Sequence, residues 1–294
     1  MKLIKMFLVL LLLLNSGCAS KKREDTVIIN EDGINAVRFD DKEMNWFRFG
    51  NENGPKVIIL PGISFQSVMG SKEAIIDAYA PLAEEYDVYL FERIRVLPGK
   101  YSVEEMAEDT LRAIHAIGLK NINIMGVSLG GMVAMVMAMK DTENVHSVML
   151  CSTSSRVTDT AVLEKWKQLA EERNTPALMD AFGRYVYSPS FYEQYKDLII
   201  ASGNGANERD FKNFITSVEA CMEFNCYDDL NNITCPALVI GASEDLILGV
   251  QASYDIIGKL QCEGFIYEGY AHAAYDEAPD YLTHIKGFLD AVTK

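Results

Sequence analysis

The chain has 294 residues, a formal charge of −15 and a pI near 4.7, so it has no basic surplus with which to neutralise phosphates, and a nucleic-acid partner is not expected. Hydrophobic residues make up 49% and charged residues 23%, a globular composition that argues against disorder. The length suits one large domain carrying an insertion, or two small domains.

The opening stretch, "MKLIKMFLVLLLLLNSGCAS", is basic at Lys2 and Lys5, apolar from Met6 to Leu14, and small at Ser16 and Gly17. That is the layout of a signal peptide over residues 1–17, and the apolar run is well short of the ~20 residues a membrane-spanning helix needs. Cys18 follows, and "LNSGC" resembles the lipobox of bacterial lipoproteins, with Asn15 where that motif usually carries leucine. The resemblance implies cleavage before Cys18, lipidation of its new amino terminus, a tether over 18–26, and an exported protein anchored to a membrane of the cell envelope. Without lipidation, the same segment describes a secreted protein.

Five further cysteines follow: Cys151, Cys221, Cys226, Cys235 and Cys262. An odd number in an oxidising compartment leaves at least one thiol free. A disulfide among Cys221, Cys226 and Cys235 and a set of packed thiols are both open, the second being simpler. There is no CxxC spacing and no neighbouring histidine, so no metal site is expected.

Strand-like patterns fill residues 27 to about 60: "TVIINEDGINAVRF" with an Asp-Gly turn, the alternating "MNWFRF", and the apolar run "KVIILPG". "EAIIDAYAPLAEEY" has the apolar spacing of a helix, and "DVYLFE" is again strand-like. Ser102 followed by Glu105 predicts a capping box at the start of a helix that closes at Gly118. "NINIM" alternates polar and apolar as a strand does. The continuously apolar stretch from Leu129 suits a buried helix, and "VHSVMLCS" suits another strand. The alternation predicts an α/β fold, a mostly parallel sheet with helices on both faces.

From residue 152 to 230 the pattern is helical and rich in aromatics, with no buried strand predicted. "CPALVIGASED" and "EGFIYEGYAH" then read as strands, and "VQASYDIIGKL" and "PDYLTHIKGFLDAV" as helices. The expected organisation is one core, 27–151 with 231–294, interrupted by a helical cap over 152–230. Trp166, Phe182, Tyr185, Tyr187, Phe191, Tyr192 and Tyr195 supply the cap with aromatics for packing, for an apolar lid, or for both.

"GVSLG" matches G-x-S-x-G at the junction of a strand and a helix. Small residues at Gly126 and Gly130 permit the tight turn that lifts Ser128 above the sheet edge, at a helix amino terminus. A serine there needs a base, and the base needs an acid. Of four histidines, His115, His146 and His284 fall in or beside regular elements. His272 falls in the loop "YAHAAYDEAP" after a strand. Asp245 leaves the preceding strand at the same carboxyl edge, with Glu244 the competing acid.

Together "GVSLGG", "LVIGASEDLI", "GYAHAAYDEAP" and "VIILPGIS" resemble the α/β-hydrolase fold family, over essentially all of residues 27–294. The resemblance implies a catalytic triad of Ser128, Asp245 and His272 and an oxyanion hole from the amides of Ile63 and Leu129, with no cofactor. Pro61 stands where the family's loop carries a supporting histidine. Also implied is a serine hydrolase acting on a small-molecule carboxylic ester, lactone or thioester. The alternatives are an exopeptidase or amidase, marked by an acidic pocket for a substrate ammonium, and a non-enzymatic binding protein on the same scaffold. The oligomeric state is left open.

Overall fold

Segments rich in β-branched and aromatic residues form a nine-stranded sheet in a computed structural model of the protein, which describes residues 25–293. Strands β1 (Thr26–Ile28), β2 (Asn35–Phe39) and β3 (Lys42–Gly50) run antiparallel to one another. The Asp32-Gly33 turn joins the first two. Gly33 takes a φ of +73°, which glycine adopts without steric penalty, and its N–H donates to the Asn30 carbonyl at 3.0 Å. Strands β4 (Lys56–Leu60), β5 (Asp87–Ile94), β6 (Ile122–Val127), β7 (Val145–Cys151), β8 (Ala237–Ala242) and β9 (Glu263–Tyr267) complete the order β1-β2-β3-β5-β4-β6-β7-β8-β9. β3 pairs antiparallel with β5, and every pair from β5 to β9 is parallel.

Helices α1 (Lys72–Ala78) and α2 (Ala80–Ala83) divide a segment that the sequence predicts as one helix. Pro81 is the reason. It is tolerated in the first turn of α2 but cannot donate to a continued α1. The predicted capping box opens α3 (Val103–Ala116). The Glu105 N–H donates to Ser102 Oγ at 3.2 Å, and the Ser102 N–H to the Glu105 carboxylate at 2.8 Å. α4 (Leu129–Lys140) is buried on every side from Leu129 to Ala138, which accounts for its lack of a polar face. Helices α5 (Ala161–Glu171), α6 (Thr175–Val186), α7 (Pro189–Ala201) and α8 (Glu208–Glu223) fill the stretch between β7 and β8. α9 (Val250–Leu260), α10 (Ala274–Glu277) and α11 (Tyr281–Thr293) alternate with the last strands.

Alternate residues of the central strands enter opposite cores. Val57 and Ile59 pack with Leu82 of α2 and with Ile285 and Leu289 of α11. Ile58 and Leu60 pack with Ile114 of α3 and Met132 of α4. Each such side chain contributes roughly 1.5–3 kcal/mol by leaving water. In β6 the polar residue is not on a wet face: Asn123 is 1% exposed. Ser147 Oγ donates to its carbonyl at 2.7 Å, and its amide donates to the Lys56 carbonyl at 3.0 Å. The alternation in "NINIM" thus reflects a hydrogen-bonded amide inside the core.

The sheet grows from β4 toward β5 on one side and toward β6 on the other, so the connections diverge at β4 and leave a crevice at the strands' carboxyl ends. Leu60 is in register with Gly126. The loop after β4 and the turn after β6 therefore emerge side by side.

Candidate active site

Ser128 sits between β6 and α4 with φ 52° and ψ −118°, a backbone conformation that suits glycine and strains serine. Two glycines let the turn close. A Cβ on Gly126 would lie 2.4 Å from the Gly130 carbonyl oxygen, and one on Gly130 would lie 2.0 Å from the Leu60 oxygen. The Ser128 carbonyl accepts from the Gly131 N–H at 2.9 Å, the Met132 N–H at 3.2 Å and Thr153 Oγ1 at 2.7 Å. The strained residue is held from both sides.

β8 and β9 are parallel neighbours, with Ala242 in register with Tyr267, so the loops that leave them run together. Asp245 stands on the first loop and His272 on the second, and both are buried. Asp245 Oδ2 lies 2.8 Å from His272 Nδ1, and Oδ1 accepts from the amides of Ile247 at 2.9 Å and Leu248 at 3.0 Å. Burial by itself raises the Asp245 carboxyl, but the facing His272 and the two amides outweigh it and hold the group below the ordinary carboxylate range. Glu244 is exposed, so the competing acid does not enter the site.

The other histidines are occupied elsewhere. His115 Nε2 is 2.7 Å from Asp141, His146 Nε2 is 2.8 Å from the Val292 carbonyl, and the His284 ring lies 3.9 Å from that of Phe265. The five cysteines within the described residues are free. Burial pushes the Cys221 thiol up to about 12, which leaves it without the thiolate a nucleophile needs.

Ser128 and His272 line one cavity of about 30 Å³, room for about one water molecule. Gly62, Ile63, Met132 and Leu248 form its floor, and Leu163, Trp166, Phe182, Val186 and Cys221 its roof. Among the described residues, none that lines it is Asp, Glu, Lys or Arg. Of the seven cap aromatics, only Trp166 and Phe182 are among those lining residues, their rings 4.8 Å apart. The Trp166 indole N–H is buried and has no hydrogen-bond partner among the described residues. Tyr192 is buried in packing and donates to Asp180, while Tyr187 donates to Asp276 at 3.2 Å.

The cap is tied to the His272 loop. The Ala273 N–H donates to the Val186 carbonyl at 2.8 Å, and the Ser188 N–H to Glu277 at 2.8 Å. That loop also contains α10, which the sequence reading leaves unassigned. Ile63 is half-buried at the cavity wall, and Leu129 is the first residue of α4. Cys18 lies outside the described residues. Among them, no helix is long and apolar enough to cross a membrane.

A sequence model of the alpha/beta hydrolase fold matches residues 80–279, about two thirds of the chain, and the chain belongs to that family. It is 20% identical over 262 residues to 3-oxoadipate enol-lactonase 2 of Acinetobacter baylyi, a match covering 86% of this chain and 94% of the relative. Among solved structures, it resembles MGS-M2, an alpha/beta hydrolase enzyme from a Medee basin deep-sea metagenome library. That match has a TM-score of 0.77 at 20% identity, over 87% of this chain and 97% of the other. The enol-lactonase from Burkholderia xenovorans gives 0.74 at 18% identity, over 85% and 97%. These structural likenesses are of fold.

Proposed function

We propose that the protein is a serine hydrolase of small, uncharged carboxylic esters or lactones, with thioesters as a related class. The observation that carries this reading is the buried Asp245–His272 pair, whose His272 lines the same cavity as Ser128. With Nδ1 engaged by Asp245, His272 presents Nε2 as the base. Ser128 Oγ bonds to the substrate carbonyl carbon while its proton passes to Nε2, and the amides of Ile63 and Leu129 receive the developing oxyanion. Collapse expels the alkoxide, which takes the proton from His272. Water then attacks the acyl-serine by the same route, releasing the acid.

The lining supports the narrower part of the reading. A substrate ammonium needs a carboxylate in the pocket and a substrate carboxylate needs a cation, and among the described residues neither lines this cavity. An aminopeptidase-like reading therefore has no support in the wall. The enol-lactonase named among the relatives favours a cyclic or open ester. Fluorophosphonate labelling and turnover of p-nitrophenyl acetate and butyrate test the proposal, both expected to be lost in Ser128→Ala. Turnover at the wild-type rate in that variant rules it out.

We further propose that the protein is exported and anchored through lipid on Cys18, on the strength of the lipobox-like "LNSGC". Cys18→Ser is expected to move the protein from the membrane to the soluble fraction of cells. Unchanged partitioning removes the anchor from the account.

A further inference from the structure

We propose that Arg93 and Glu92, at the end of β5, form a clamp that sets the geometry of the oxyanion hole, with Arg93 as the positioning residue that aims the Ile63 amide. The inference rests on the serine-hydrolase reading above. Pro61 opens the loop after β4, and proline has no N–H with which to tie its own loop down.

The support comes from the neighbouring strand. β5 lies parallel beside β4, so residues 92 and 93 emerge next to the loop that follows Leu60. Arg93 Nη1 donates to the Pro61 carbonyl and Nη2 to the Gly62 carbonyl, each at 3.0 Å. Successive carbonyls of an extended chain point in opposite directions, so two that converge on one guanidinium impose a bend. Glu92 holds the far end of the same loop, accepting from Ser67 Oγ at 2.8 Å and the Val68 N–H at 2.9 Å.

The peptide between Gly62 and Ile63 is planar and trans, so its C=O and N–H point opposite ways. Fixing the Gly62 oxygen on Arg93 turns the Ile63 N–H away from the guanidinium. Ser128 stands close against this loop: a Cβ on Gly62 would come 3.1 Å from Ser128 Cβ and 3.8 Å from Oγ. Arg93 itself is absent from the wall of the Ser128 cavity. It lines a separate cleft of about 430 Å³, with Glu92, Ser64 and Ser67. It therefore acts on the reaction through the peptide it holds and not by touching substrate. Its positive charge at the carbonyl end also polarises that peptide, strengthening the N–H as a donor.

The test compares Arg93→Met, which keeps bulk without charge, with Arg93→Lys, which keeps charge without the planar fork. Both are measured in the full chain for kcat and KM on p-nitrophenyl butyrate, for the rate of fluorophosphonate labelling of Ser128, and for thermal melting. Removing an oxyanion donor outright costs about 100- to 1,000-fold, so a misaimed donor is expected to lower kcat and labelling together by roughly 10- to 100-fold. KM is expected to stay within about threefold of wild type on the same argument, because the ground-state carbonyl relies less on the hole. Arg93→Ala supplies the rescue arm: millimolar guanidinium restores part of its kcat, and methylammonium does not. A folded Arg93→Met or Arg93→Lys with wild-type kcat, a loss confined to KM, or equal rescue by both cations overturns the clamp while leaving the hydrolase reading intact. A wild-type protein that neither turns over esters nor labels at Ser128 overturns the hydrolase reading, and the clamp with it.

Discussion

The Asp245 carboxylate meets His272 Nδ1 at 2.8 Å with both side chains almost wholly removed from water, at 5% and 4% exposure. The remaining Asp245 oxygen is taken by two amides, so the group is held ionised in spite of its burial. An amide in its place offers His272 an N–H as readily as an oxygen, and the imidazole loses its fixed tautomer. Asp245→Asn is expected to lower kcat by about 1,000- to 10,000-fold.

Because the folded-state pKa of Asp245 is depressed, its contribution to stability is full above the unfolded carboxylate pKa and is lost as pH falls through the folded value. The melting difference between wild type and Asp245→Asn should therefore narrow as the medium is acidified through the carboxylate range. Paired melts at pH 7 and pH 3, beside steady-state kinetics, check both parts. A constant difference would mean that Asp245 owes nothing to its charge.

Ser128 is the one candidate whose cost is visible in the backbone. Its φ of 52° with ψ −118° is a conformation in which a non-glycine residue stores about 1–3 kcal/mol. Glycine relieves that strain but gives back about 0.5–1 kcal/mol in unfolded-state entropy. Ser128→Gly is thus expected to melt above Ser128→Ala by a few degrees while both variants are equally inert. If Ser128→Gly melts lower, the turn stores no strain that glycine can relieve.

The parts of this site that could be read from the sequence were those carried by rare residue types at junctions. Four histidines leave few choices for a base, and only His272 sits in a loop between a strand and the final helix. Ser128 between two glycines, at a change of hydrophobic period, is equally conspicuous. Arg93 and Glu92 are not, because an Arg beside a Glu reads as any solvated pair until β5 is known to lie next to β4. The roof of the cavity was hidden for a similar reason. Leu163, Val186 and Cys221 look like ordinary core residues, and five of the seven cap aromatics serve packing or cap contacts away from the cavity. The alternation in "NINIM" marks the strand correctly, but its polar position Asn123 is buried, with its amide bonded to Ser147 and the Lys56 carbonyl, which the alternation alone does not show.

Glu92 gives a prediction of opposite sign to Asp245. Burial outweighs its bonds from Ser67 and Val68 and leaves its carboxyl raised above the ordinary value. A carboxyl with a raised folded-state pKa binds its proton more tightly when folded, so ionisation costs stability as pH climbs from the unfolded pKa through the folded one. Glu92→Gln keeps an oxygen for the Val68 N–H, turns an N–H toward Ser67 Oγ, which can accept it, and removes that cost. It is expected to melt above wild type at pH 7, with the advantage disappearing below the carboxylate range. Melting curves across pH 3 to 8 decide it, and a variant that is less stable at every pH would show that the charge itself is needed.

Trp166 lines the Ser128 cavity, and its buried indole N–H meets no acceptor among the described residues. An unmet donor costs roughly 1–3 kcal/mol, and a substrate oxygen placed against it recovers that energy on binding. Trp166→Phe removes the N–H while keeping an aromatic ring beside Phe182. Stability should change by less than about 1 kcal/mol, since the smaller ring loses some packing but the orphaned donor is gone. KM for an ester with a second acceptor oxygen on its acyl chain should rise about three- to tenfold, whereas KM for an unsubstituted alkanoate should hardly move. Kinetics on a matched pair, such as p-nitrophenyl butyrate and its methoxyacetate analogue, separates the two. Equal changes for both esters would assign Trp166 to the packing of the cap and leave substrate orientation to the oxyanion loop alone.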